Sequence, residues 1–476
     1  MITGRTSCEL AIVGGGPGGL AAASLAGELG LDAVLFDEQN TPGGQVYRNV
    51  EANCLRPDIL NDVLGPDYAK GLALVDRFRA SGAAYEPRSA VWQVSNSGKL
   101  GISQDGRAYL TRASRVILAT GAMERPVPVP GWTLPGVMGA GAVQTLMKGS
   151  GIVPDRPTVI AGSGPLTYLM AYQLVKAGAP VRGIVNTAEK GLFSTSLAAL
   201  PLLSGFAGDL LKGLSWIATL KAHRIPVVEG RNLTAEGVSR LDAVGFDSGG
   251  RRRRWEASLL LLHEGVIPNI QITTSLRCKH AWNSVQMAWQ PKTDEWGATT
   301  IDVLAVAGDG AGIGGARAAV HRGHLAALDA ACRLSHITKG ERDERALPVR
   351  QALEKEARFR AFLDLAYRPV EAAGRFDDET LVCRCEEITA GELRASIADG
   401  FTDINQLKSF SRCGMGPCQG RMCGSTVSRL LADSLNVDVE AAGHYRLRLP
   451  VKPLPLAELA QLDNADPDPG PSLHVV

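Results

Sequence analysis

Short, fully apolar runs alternate with longer helical stretches along most of this chain, and several of the runs end in glycine. Residues 10–13 (Leu-Ala-Ile-Val) lead into Gly14-Gly15-Gly16-Pro17-Gly18-Gly19 and then an alanine-rich stretch over residues 20–29. An apolar run of that length bounded by a turn predicts a buried parallel strand, and the stretch after it predicts a helix. The next run, residues 33–36, stops at Asp37-Glu38. The same order recurs at residues 158–161, Gly162-Ser163-Gly164-Pro165-Leu166-Thr167 and residues 181–185. Residues 115–118 read as one more strand, and residues 303–307 as another that leads through Gly308-Asp309-Gly310 into a helix over 316–331. The pattern predicts an α/β fold with two Rossmann-like dinucleotide-binding units.

The two glycine turns differ in chemistry. In the first, Gly14 permits the tight turn, Gly16 lets the backbone approach a pyrophosphate and Gly19 allows close helix–strand packing. With Pro17 in the turn, the helix N-terminus faces the anion. Glu38, beside Asp37, stands about 20 residues past the turn, where an acid accepts hydrogen bonds from an adenosine ribose. In the second turn the third glycine has become Thr167, and the following strand ends in Asn186-Thr187. No acid stands there for a ribose, and no arginine cluster for a 2′-phosphate. Ordinary NAD(P)H oxidation is not expected at this second, degenerate site, while another nucleotide, or none, remains open.

At 476 residues the chain exceeds one ordinary domain. Its net charge of +1 supplies no field to attract nucleic acid or anionic lipid. The apolar stretch near the start has dinucleotide-turn spacing rather than that of a secretory signal. Residues 191–220 are broken by Pro201, Gly205, Gly208 and Gly213 and carry Asp209 and Lys212, so they predict a buried or interfacial helix, a candidate docking surface, and not a membrane span. Arg251 to Arg254 follow Gly249-Gly250 and read as a solvated hairpin turn; His263-Glu264 close the next apolar run, and His263 reads as a satisfied core or turn histidine rather than a catalytic base. Of nine cysteines, five fall between Cys383 and Cys423. Without an export signal they indicate metal ligation in a reducing, cytoplasmic setting. Cys383-x-Cys385 is followed after 32 residues by Cys418-x4-Cys423, with Cys413 as a fifth thiol. Four thiolates suffice for a 2Fe–2S cluster, and zinc takes the same number. Spacing alone allows Cys413 with Cys418, or Cys418 with Cys423, as the later pair.

The nested order resembles the flavoproteins with two dinucleotide-binding domains, which include the thioredoxin and glutathione reductases, and Gly43-Gly44-Gln45 matches the thioredoxin reductase loop. That resemblance implies FAD in the first site. Gly44 and Gln45, Thr120 and Gly121, and Gly308 and Asp309 would then contact it, Asp309 through the ribityl chain. No cysteine lies between residues 123 and 260, so a dithiol–disulfide reductase is excluded. The C-terminal cysteines resemble the bacterioferritin-associated ferredoxin type of 2Fe–2S domain, which implies Cys383, Cys385, Cys418 and Cys423 as ligands and leaves Cys413 out. The whole is similar to the α-type (A) subunits of dye-linked opine dehydrogenases (opine oxidases), hydroxyproline and proline dehydrogenases and hydrogen cyanide synthase. The implied activity is an oxidoreductase of CH–NH donors. The implied partners are a β-type FAD-containing subunit that oxidises the amine or opine, a downstream electron acceptor and a small ferredoxin-like subunit, which together could hold the complex at the inner membrane. The alternatives are a self-contained NAD(P)H-dependent flavin oxidoreductase and a glycine-directed subunit of hydrogen cyanide synthase. The expected division is 1–135 and 263–335 for the FAD unit, 136–262 for the insertion, 336–377 for a helical linker, 378–435 for the 2Fe–2S unit and 436–476 for a Pro-rich tail.

Overall fold

The computed structural model describes residues 5–188, 206–369 and 376–462. Its first sheet is built from β1 (Ser7–Val13), β2 (Ala33–Phe36), β3 (Ala84–Glu86), β4 (Ser89–Val94), β5 (Lys99–Gln104) and β6 (Arg107–Leu118), with α1 (Pro17–Glu28) between β1 and β2. The order is β3-β2-β1-β6-β5-β4, and the strand Leu304–Val306 adds to β6. β6 serves two partners because it is long. Its second half runs parallel to β1, with Ile12 opposite Ile117, and its first half pairs antiparallel with β5. Every residue of β2 is buried, as a strand covered on both faces requires. Helix Ala316–Arg333 crosses α1 at glycines: a Cβ on Gly323 would sit 2.2 Å from the Gly18 carbonyl oxygen. That close crossing brings residues 308–315 onto the first glycine turn.

The chain leaves this sheet through Ala122–Glu124 and returns through Val266–Pro268, two short strands that pair with each other. Between them lies a parallel sheet in the order Val227–Glu229, Val181–Asn186, Thr158–Gly162, Leu259–His263, Val137–Gly139. A three-stranded antiparallel sheet flanks it. There the turn is Gly249-Gly250, with φ of +59° and +75°, so Arg251 begins the strand Arg251–Glu256. The arginines are exposed as expected but stand on a strand, because two glycines complete the turn before them.

Helix Ala207–Ala222 overlaps the expected docking segment, of which residues 191–205 lie outside the described residues. Leu211 and Leu214 on this helix are 66% and 61% exposed. Lys212 pairs with Asp67, and Asp209 with Arg317 at 3.1 Å, fastening it to the first unit. No described helix is long and apolar enough to cross a membrane. A long helix, Lys339–Ala366, starts on a Thr338/Glu341 capping box and leads to the C-terminal unit. Helices Ala390–Ala398, Ile404–Ser411 and Gly424–Leu435 there enclose Val382, Leu393, Leu407, Val427 and Tyr445. The chain then runs back over the first sheet, where the buried Val451 donates its N–H to the Trp92 carbonyl at 3.0 Å.

Candidate functional site: two glycine turns and a five-thiol centre

The three motif glycines of the first turn are not equivalent. Gly14 has a φ of +107°, and a Cβ there would lie 2.5 Å from the Ala119 carbonyl oxygen; at Gly19 it would lie 1.9 Å from that of Gly14. Folding alone demands glycine at both. At Gly16 a Cβ would meet nothing nearer than the Gly44 Cα, at 3.9 Å. Gly16 is therefore a place where the chain keeps space open beside the Gly43-Gly44 turn. No side chain caps the first turn of α1, which leaves its orphan N–H groups to an anion.

The two acids after β2 divide. Asp37 is buried beneath the turn, with Oδ1 accepting from the Gln39 N–H at 3.1 Å and Oδ2 unpartnered, and burial pushes its carboxyl up to about 6. Glu38 faces outward and pairs with Lys452 from the returning C-terminal segment. Gly308 abuts the turn, since a Cβ on Gly18 would lie 3.3 Å from its nitrogen. Asp309 Oδ1 accepts from the N–H groups of Gly314 and Gly315, both at 2.9 Å, which shapes the entry to helix Ala316–Arg333. Gln45 Oε1 accepts from Thr145 Oγ1 at 3.2 Å, and Thr120 Oγ1 donates to the Asn269 carbonyl at 3.3 Å. Gly121 accepts from the Asn269 N–H at 3.0 Å.

Sequence reasoning missed Lys148. Its ammonium is buried against this loop, donating to the Val46 carbonyl at 2.9 Å, and burial lowers it to about 7. One lysine in an otherwise ordinary helix carries no linear signal.

At the second turn a Cβ on Gly164 would meet nothing within 4 Å, and a buried carboxylate ties the turn to the end of the next strand. Glu264 is buried, accepting from Ser163 Oγ at 2.9 Å and Thr187 Oγ1 at 2.5 Å, with its carboxyl raised by burial. It thereby bridges the glycine turn and the strand end where a ribose acid would stand. Arg231 reaches the same strand end from a later strand, but its guanidinium is engaged by the Thr187 and Ala188 carbonyls. His263 is satisfied, as expected, by Glu124 at 2.7 Å.

The five C-terminal thiols come together as three and two. The sulfurs of Cys383, Cys413 and Cys423, all buried, lie within 4.8 Å of one another. Cys383 ends a strand, Cys413 follows helix Ile404–Ser411, and Cys423 opens helix Gly424–Leu435. The neighbouring Cys413 and Cys423 thiols lower the Cys383 thiol from its ordinary range. Cys385 and Cys418 interact through their thiols beside this group. A set of five convergent thiols fits a thiolate-bound metal centre. Cys413, left out of the ligand set by family resemblance, sits inside the buried group.

The thiol loop meets the first unit at a seam. A cavity of about 70 Å³ lies there, lined by Gln271, Thr274 and Trp289 on one side and by Arg421, His444 and Tyr445 on the other. Gln271 is two residues from the Asn269 that binds Gly121.

Residues 8–323 match the family described as pyridine nucleotide-disulphide oxidoreductase, and residues 377–462 match the sarcosine oxidase A3 domain. The A-type subunit of an opine oxidase from Rhizobium meliloti is 41% identical over 96% of this chain and 88% of its own length. The hydrogen cyanide synthase subunit HcnB of Pseudomonas aeruginosa is 35% identical over 95% of this chain and 98% of its own. The crystal structure of L-proline dehydrogenase from P. horikoshii shares the fold, with a TM-score of 0.71 at 18% identity, over 96% of this chain and 80% of that one.

Proposed function

This chain belongs to the pyridine nucleotide-disulphide oxidoreductase family alongside the opine oxidase A-type subunits, and from that premise we propose that it is the electron-transfer subunit of a multi-subunit amine or opine dehydrogenase. FAD occupies the first site. Gly16 and the first turn of α1 would hold its pyrophosphate, Glu38 its adenosine ribose in exchange for Lys452, and Asp309 its ribityl chain. Cys383, Cys385, Cys418 and Cys423 hold a 2Fe–2S cluster. Together the two groups turn a two-electron oxidation into one-electron outflow. The chain's own residues bind and orient them, and the seam at Trp289 and His444 keeps their two units in contact.

The observation that carries this proposal is the pairing, within one chain, of a glycine turn that keeps space free at Gly16 and is followed by an exposed acid with a five-thiol centre, while at the second turn the strand ends without an acid and Glu264 is tied to Ser163 and Thr187. The same bridge weighs against the rival, an NAD(P)H-dependent flavin oxidoreductase. Electrons then come from a partner flavoprotein that oxidises a C–N bond, and the relatives named as subunits support that arrangement. Affinity purification of the tagged chain from its native host, with identification of the bound chains, tests it. A second flavin-containing chain in stoichiometric amount is expected. Recovery of this chain alone, reduced rapidly by NADH or NADPH, would overturn the assignment.

A further inference from the structure

Unmatched polar atoms collect at the cavity in the seam between the first unit and the cysteine loop. Among the described residues, eight buried side-chain nitrogens and oxygens have no hydrogen-bond partner within the protein. Four of them, Gln271 Oε1, Thr274 Oγ1, Trp289 Nε1 and Arg421 Nε, belong to residues that line this one cavity of about 70 Å³. Gln271, Thr274 and Trp289 are more than nine-tenths buried, at 8%, 3% and 8% exposure. A buried polar group left unmet is costly and seldom seen, so four around one cavity mark a ligand site.

The four groups are biased toward donation. The indole N–H and the guanidinium N–H can only donate, and the Thr274 hydroxyl can do so. The Gln271 amide presents either its oxygen or its NH2, because a half-turn of the side chain exchanges them. No Asp or Glu stands among the described residues lining the cavity. Burial lowers His444 from its ordinary range, which leaves Arg421 as the single formal charge on the wall. Trp289 packs edge-on against His444, with ring centroids 4.9 Å apart, so its indole is held across the seam.

We propose that this cavity binds one small carboxylate-type monoanion, such as formate, acetate or bicarbonate, between the two units. One guanidinium offsets one negative charge, whereas a dianion would carry a second, uncompensated charge into the interior. A carboxylate offers about four lone-pair sites on two oxygens and no donor of its own, which suits a wall of donors. Waters would bring further donors to it. The bound anion would take hydrogen bonds from Gln271, Thr274 and Trp289 on one side and from Arg421 on the other, and so pin the two units together. These side chains define the site whichever cofactors the chain carries.

The test is isothermal titration calorimetry of the full chain as purified, beside a thermal melt, with sodium formate, acetate and bicarbonate each set against sodium chloride at the same ionic strength. At least one carboxylate is expected to bind at one site per chain and to raise the melt, the tightest of the three identifying the source; chloride should do neither. Thr274→Val keeps the shape and removes the hydroxyl, and Trp289→Phe removes the N–H while leaving a ring against His444. Each is expected to weaken binding about threefold to tenfold, and Arg421→Met about tenfold or more, since its hydrogen bond is charge-assisted. Should Arg421→Met fail to fold, the other two variants still decide. Failure of all three anions to bind, chloride binding as tightly, or full affinity in folded Thr274→Val and Trp289→Phe would overturn the proposal. So would crystals grown in formate that show only water in the cavity.

Discussion

Gly16 separates nucleotide binding from folding, which the other motif glycines cannot do. Its backbone is extended, with φ of −78° and ψ of −177°, and a Cβ there meets only the Gly44 Cα at 3.9 Å. Gly16→Ala should therefore fold and, by restricting the unfolded chain, gain about 0.4–1 kcal/mol. The added methyl occupies the face that a pyrophosphate approaches. Displacing the phosphate from one or two charge-assisted hydrogen bonds, each worth about 1.5–3 kcal/mol, costs on the order of 3 kcal/mol. Affinity then falls roughly 100-fold. Gly16→Val should abolish the yellow colour. Gly19→Ala is the contrasting variant, because its Cβ would stand 1.9 Å from the Gly14 carbonyl oxygen and the turn itself must move. The assay is the ratio of flavin to protein absorbance after gel filtration, beside a thermal melt followed by circular dichroism. A Gly16→Val protein with an unchanged melt and full flavin would show that the first site has been misassigned.

Three further outcomes follow from the geometry. Cys383→Ser, Cys385→Ser, Cys418→Ser and Cys423→Ser should each lose iron and the charge-transfer absorption, whereas Cys413→Ser should keep both; iron analysis distinguishes them, and the reverse result for Cys413 and Cys423 would exchange their roles. NADH and NADPH should bleach the flavin slowly or not at all in a stopped-flow experiment, because Glu264 bridges the second turn. Burial lowers Lys148 from 10.5 to about 7. The unfolded chain therefore holds a proton that the folded chain has released between those values, and stability rises with pH across that window. Lys148→Met should flatten the rise by about 2 kcal/mol between pH 7 and pH 9 in urea titrations; an unchanged slope would show that the lysine stays charged.

The elements around both nucleotide turns were legible because each pairs a local apolar run with glycines whose roles are fixed by backbone sterics. Residues 33–36, for example, form β2 as expected. What could not be read depends on contacts between distant segments. Nothing near Glu38 announces Lys452, and nothing near Asn186 announces that Glu264 and Arg231 converge on that strand end. The hairpin at Gly249-Gly250 was misplaced by two residues because the conspicuous charges follow the turn rather than form it. Cysteine spacing was ambiguous for a physical reason: Cys413 and Cys423 flank the same loop at equal distance from Cys418, and only the tertiary fold puts both sulfurs beside Cys383.

The central claim is that electrons enter this chain from another protein. The direct measurement is substrate-dependent dye reduction by the isolated chain, loaded with its flavin and cluster, against the complex reconstituted with its co-purified partner. Opines, proline and glycine are the substrates to offer. The isolated chain is expected to reduce no dye with any of them, while the complex reduces dye with one. Dye reduction by the isolated chain at the rate of the complex would place C–N oxidation on this polypeptide and contradict the account.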